Sequence, residues 1–268
     1  MGPVEYEGKK GFEFMTDATR RMSGLSLWAD RIAPVALAVG AVMAAVGFVL
    51  TFTIAPLVNG ASVGQGAVIG GVLVNNQLLL SQKIFYWHMP VAIVSMVALV
   101  GTLFYGIRFL MTRDGAYDLR AKLCTEISLV FILMTMCTGE MWERFEWGVW
   151  WTWEPRLTTF FILMLMVIGY FVLRNAIDDP ERRAVFASVF GILTFVDVPI
   201  CFLITRIIPS GVHPVIFRTD SGLSPEMLLP LMLSMCGFML VAFGLYRLRL
   251  RTQLLEDGVA RLQERMED

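Results

Sequence analysis

Apolar residues run along this chain in long blocks rather than in alternation. Residues 32–55, 89–107 and 227–246 contain no charged side chain, and a shorter uncharged block covers 157–173. Two further blocks each enclose one acid: 123–139 carries Glu126, and 184–205 carries Asp197. About 20 predominantly apolar residues are enough to cross a bilayer as a helix. The pattern therefore predicts an all-α, polytopic membrane protein with six transmembrane helices. Between the blocks lie outer loops at about 56–82, 140–156 and 206–225, the first rich in glycine. After the last block, Leu248, Leu255, Val259, Leu262 and Met266 recur at helical spacing, so the tail reads as an extension of the last helix.

Composition agrees with this reading. Charged residues make up only 17% of the 268, and the mean hydropathy is +0.65. A soluble domain of this length would not be so apolar throughout. Net charge is -1 and points to no nucleic acid or strongly charged ligand. The distribution of cations is more informative. With six spans, 17 of the 22 Lys and Arg fall on the side that holds both termini. The positive-inside rule then makes both termini cytoplasmic. The expected organisation is a cytoplasmic tail over 1–30, a membrane domain over 31–246 and a cytoplasmic helical tail over 247–268. Acidic Glu5, Glu7, Glu13 and Asp17 precede a block too long for a signal peptide. Cys124, Cys137, Cys201 and Cys236 are scattered singly, with no CxxC, CxxCH or zinc spacing, and read as small buried hydrophobes.

Candidate chemistry gathers on the other face. The chain has two histidines, His88 and His213, and both fall at predicted outer ends. Histidine is the commonest metal ligand, and a pair can fill both axial positions of a heme iron. Five of the seven tryptophans, Trp142, Trp147, Trp150, Trp151 and Trp153, lie within 12 residues between them. An interfacial aromatic belt spreads over several span ends. One dense cluster instead suits a platform for a flat ligand. Lys83 and Arg156 are expected at the same surface, where they suit anionic groups. Glu140, Glu143, Glu146 and Glu154 could engage a basic partner surface or pair with Arg144 and Arg156, and the first three read mainly as a solvated loop face. Asp197 is a costly acid within a span, hence a functional candidate. Glu126 is expected to pair with Lys122 or Arg120.

The segment WGVWWTWEPRLT, residues 147–158, resembles the tryptophan-rich WWD signature of heme-handling proteins of cytochrome c maturation. Within that superfamily the chain looks most like the CcmC family, over roughly 83–213. The resemblance implies a WWD loop at 140–158 and non-covalent heme b with bis-His ligation by His88 and His213. Trp147, Trp150, Trp151, Trp153, Glu154, Arg156, Lys83 and Asp197 complete the implied site. It also implies a bacterial inner membrane location, with the site facing the periplasm. The implied partners are the heme chaperone CcmE, the ABC transporter subunits CcmA and CcmB, and the small membrane protein CcmD. Two positions depart from the signature. Glu154 stands where Asp is usual, and Pro155 is more like the larger cytochrome c synthetase branch. No nucleophile or acid–base pair points to independent catalysis, so heme binding and transfer is the expected role. A b-type cytochrome subunit in quinol electron transfer, a component of the larger branch and a cofactor-free transporter or scaffold are the alternatives.

Overall fold

The computed structural model of the chain describes residues 27–56, 67–69, 72–74, 82–208 and 225–267. The tail over 1–26, His213 and most of the first and third outer loops lie outside the described residues. Six long helices carry the fold: α1 (Leu27–Thr53), α2 (Phe85–Thr112), α3 (Gly115–Glu146), α4 (Pro155–Asn175), α5 (Pro180–Ile207) and α6 (Pro225–Glu267). All six are long and apolar enough to cross a membrane. The all-α, six-span expectation holds. One addition is a short antiparallel pair in the first outer loop, β1 (Ala67–Ile69) with β2 (Val72–Val74). Its β-branched residues favour extended backbone; the surrounding glycines had suggested only loop.

Turn chemistry sets the hairpins. Arg113 adopts the left-handed conformation, with φ 56°, after α2. Asp114 then caps α3 by accepting from the Ala116 amide at 3.0 Å. Asp179 caps α5 by accepting from the Arg182 amide at 2.6 Å, with Pro180 at the first helical position. Side-chain oxygens at such positions satisfy amides that the helix itself cannot, and proline there loses no bond.

Bilayer lipid gives helices no hydrophobic reason to pair, so close packing and polar contacts must do it. Helices α1 and α6 meet along small residues. A Cβ built on Gly237 would stand 2.7 Å from the Ala44 amide nitrogen, and one on Gly244 would stand 3.0 Å from the Ala33 carbonyl oxygen. At the end holding the start of α1, Arg247 pairs with Asp30 at 2.6 Å. Both ends of the described bundle thus lie on one face. The same face carries Glu126, 3.0 Å from Arg249 and 3.6 Å from Lys122. Lys122 is the foreseen partner; Arg249 joins because α6 continues past the bundle. Arg174 grips Asp118 with two bonds of 2.6 and 2.8 Å. Outward, the bundle presents apolar side chains such as Val35, Val42, Phe52 and Phe104.

Two outcomes follow from this packing. Gly237→Ala should cost about 1–3 kcal/mol, because the new methyl meets backbone rather than a flexible side chain. Thermal unfolding in detergent measures it, and an unchanged midpoint would contradict the packing. Arg174→Met should cost about 3–5 kcal/mol by stranding a buried carboxylate, and adding Asp118→Leu should restore most of the loss. The single and double variants in one unfolding series give the comparison.

Candidate functional site

The site builds from the end of α3 opposite the charged face. The sequence placed an outer loop over about 140–156. Instead α3 continues to Glu146. The run EMWERFE contains no helix breaker, and its polar residues end the apolar block without ending the helix. The true loop is residues 147–154. Trp147 closes α3 by donating its amide to the Glu143 carbonyl at 2.8 Å. Gly148 follows with φ 75°, the left-handed turn that glycine takes at helix ends. Arg144 binds the Gly148 carbonyl and lies over the Trp150 ring, 5.8 Å from its centre.

The two residues that depart from the signature are the helix start. Glu154 is the N-cap of α4, accepting from the Leu157 amide at 3.3 Å, and Pro155 takes the first helical position. Glu154 is buried. An acid at an N-cap also suits the positive end of the helix dipole. Glu154 and Pro155 thus serve the start of α4 as well as standing in the signature.

The loop folds back over α3. Thr152 donates its hydroxyl to Glu143 Oε1 at 3.0 Å. Glu143 is only 2% exposed, which corrects the solvated-face reading for this acid. The reason is that the loop folds back and sets Thr152 against it. Trp151 stands edge-on to Trp153 and to Phe161, with centroids 5.7 Å apart in both pairs.

An open cavity of about 770 Å³ lies beneath this loop, between α2, α3, α4 and α5. His88, Trp142, Glu143, Trp147, Trp151 and Arg156 line it with Met89, Ile93, Met96, Met136, Leu157 and Phe160. His88 reaches it from the first turn of α2. Its Nδ1 lies 3.0 Å from Thr138 Oγ1. The Thr138 hydroxyl donates to the Met134 carbonyl at 2.8 Å, so its oxygen is left to accept. That pattern assigns the proton to Nδ1 and the lone pair to Nε2. Gly139 makes the approach possible: a Cβ there would stand 3.1 Å from His88 Cε1. The ring of Trp142 meets the imidazole edge-on at 5.7 Å.

Two buried polar atoms on the cavity residues, Trp151 Nε1 and Glu143 Oε2, have no hydrogen-bond partner among the described residues. Buried polar atoms are normally satisfied, so a polar occupant of the cavity is the natural explanation. No group of three or more potential metal ligands forms among the described residues.

The structure thus brings together His88, Trp147, Trp151 and Arg156. It does not bring every expected residue to the cavity. Trp150 and Trp153 are 61% and 75% exposed on the outside of the loop. Lys83 was expected at the surface but is buried, its Nζ donating to the Ala55 carbonyl. That carbonyl lies two residues past the end of α1, close to the helix terminus where a cation is favoured. Asp197 is buried one layer behind the cavity and accepts from the Cys201 thiol at 3.6 Å; Cys201 itself lines the wall. His213 lies outside the described residues. Sequence reasoning missed Thr138, Gly139 and Thr152. The first two sit inside an apolar block that had read only as a span.

Comparison with known proteins adds the family. A model described as CcmC, Heme exporter protein C, matches residues 17–265. The heme exporter protein C of Rhodobacter capsulatus is 30% identical over 186 residues, covering 68% of this chain and 77% of its own. That of Escherichia coli strain K12 is 29% identical over 178 residues, covering 65% and 71%. A ccmC-like mitochondrial protein of Marchantia polymorpha, named for cytochrome c biosynthesis, is 30% identical over 118 residues, covering 44% and 49%. Matched by the model from its N-terminal tail to the end of α6, the chain belongs to the CcmC family.

Proposed function

We propose that this protein handles heme for cytochrome c maturation, holding it in the cavity under the tryptophan-rich loop and presenting it to a partner. The observation that carries this reading is the convergence of His88, Trp151 and Arg156 on one cavity. Heme is flat and apolar across its face, coordinates nitrogen at its iron, and carries two carboxylates on one edge. The residues present fit each feature. The Nε2 lone pair of His88 is the kind of ligand iron takes, and its other nitrogen donates to Thr138, the usual way a ligating imidazole is oriented. Met89, Met96, Leu157 and Phe160 supply an apolar wall. Trp151 offers a ring and an unanswered N–H. Arg156 offers a planar cation for the propionates.

His213 supplies the second axial ligand in this proposal, consistent with its place in the outer loop before α6. Lys83 acts at a distance: by binding the end of α1 it fixes the start of α2, five residues before His88. Asp197 supports the wall through Cys201. Exposed Trp150 and Trp153 face the membrane surface, where a receiving protein would dock. The positive-inside distribution of Lys and Arg supports an inner-membrane orientation with both termini cytoplasmic and the cavity periplasmic. By family resemblance the recipient is CcmE, with CcmA, CcmB and CcmD in the same assembly. The chain's own contribution is to bind and orient its cargo; no residue is assigned a covalent step.

The test is the absorption spectrum of the full-length protein, purified in mild detergent from heme-replete cells. A low-spin Soret band with split visible bands is expected, weakened in both His88→Ala and His213→Ala. Protein that carries no heme would overturn the proposal. A finer outcome concerns orientation. Thr138→Val should weaken heme retention by about 10–100-fold, the usual effect of losing the partner that orients a ligand. Its unfolding midpoint should stay within a few degrees of wild type. Retention equal to wild type would show that the Thr138 contact does not orient the ligand.

A further inference from the structure

The charged face of the bundle holds two arginines that the ion pairs leave out. Arg174, Arg247 and Arg249 each meet a carboxylate there. Arg108, near the end of α2, and Arg120, near the start of α3, meet none among the described residues. Both are partly buried, so neither simply hangs in water. We propose that Arg108 and Arg120 bind the phosphate of an anionic phospholipid in the leaflet at this face.

Aromatic rings hold the two guanidinium groups in place. The Arg108 group lies over the Tyr117 ring, 5.2 Å from its centre, and donates an N–H to the Tyr117 hydroxyl at 3.2 Å. The Arg120 group lies over the Tyr105 ring, 5.8 Å from its centre. Tyr105 and Tyr117 are themselves stacked, with centres 6.3 Å apart. The two cations are thus tied to one pair of rings, which concentrates their charge. A boundary arginine commonly extends its head outward to water; these two are kept against the rings instead. A cation over a ring face retains its in-plane N–H groups for another acceptor. The acids of the same hairpin are already engaged, since Asp114 caps α3 and Asp118 holds Arg174.

The surroundings fit a lipid. Phe104 and Ile107, 56% and 41% exposed, stand on the outward side of α2, where acyl chains lie. Arg108 follows Phe104 by four residues, which sets it on the same side, one turn nearer the membrane surface. It precedes the last residue of α2, Thr112, by one turn, about 6 Å along the axis. That is the level of headgroups, not of the hydrocarbon centre. A chain lying on Phe104 therefore brings its phosphate to Arg108. Basic pockets between spans on the cytoplasmic side bind anionic headgroups, and the distribution of cations sets this face there. A soluble phosphate would meet the cations but leave the apolar strip uncovered. Nothing in the site depends on what the cavity at the other end binds.

The experiment is native mass spectrometry of the full-length protein, delipidated in mild detergent and titrated with phosphatidylglycerol, phosphatidylcholine or inorganic phosphate. Phosphatidylglycerol should bind with the highest affinity. Arg108→Gln together with Arg120→Gln should weaken that affinity about tenfold or more. Arg182→Gln with Arg183→Gln removes the same charge at the start of α5 and should leave it within about twofold of wild type. A phosphatidylglycerol with a photolabel in its headgroup should mark residues 104–120 of the wild-type protein, a readout that needs no variant to fold. Equal affinity for the two lipids, an equal loss in the α5 variant, inorganic phosphate bound as tightly as lipid, or a label placed elsewhere would each overturn the proposal.

Discussion

The imidazole of His88 stands against α3 because Gly139 has no side chain to keep it away and Thr138 has a hydroxyl to hold it. That contact fixes the distance between α2 and α3 at the cavity end and the nitrogen that His88 presents. The rest of the site is arranged around it. Trp142, one turn further along α3, meets the imidazole edge. Glu143 receives Thr152 and draws the loop down over the cavity. The loop then delivers Trp151 to the wall, and its end caps α4, from which Arg156 projects. Each step needs the helix pair to be correctly spaced, so a single added methyl at position 139 reaches the whole arrangement.

The bilayer explains why the chemistry lies at one end and the charge pairs at the other. Within hydrocarbon an unpaired charge is costly, so ionisable groups gather where spans end or where a partner meets them. Arg174 with Asp118, Arg247 with Asp30 and Arg249 with Glu126 lock the ends of four helices, α1, α3, α4 and α6, together on one face. The opposite face is left open between α2, α3, α4 and α5, with a polar rim and an apolar floor. One end of the bundle is tied by ion pairs, and the other keeps an open cavity.

Much of this was legible in the sequence. The six spans follow from uncharged blocks, because bilayer thickness imposes length as well as composition. The end of the bundle that holds the cavity follows from His88 and the tryptophan cluster, which the sequence set on one face. Three features were not legible, each for a physical reason. The polar run after Gly139 looked like loop, yet helix propensity carries α3 to Glu146. Lys83 looked like a surface cation, yet the carbonyl end of α1 claims it. Glu154 and Pro155 looked like departures from a binding signature, yet they serve as the N-cap and first residue of α4. Gly139 was invisible because a glycine in an apolar span carries no signal until its neighbour is known.

Heme held in the cavity bounded by His88, Trp151 and Arg156 is the proposal on which the assigned roles of these residues depend. An electron cryomicroscopy map of the full-length protein, purified from heme-replete membranes, tests it most directly. The account predicts flat density beneath the 147–154 loop, with its metal within coordinating distance of His88 Nε2 and its carboxylate edge toward Arg156. Heme density outside this cavity, or coordinated without His88, would contradict it.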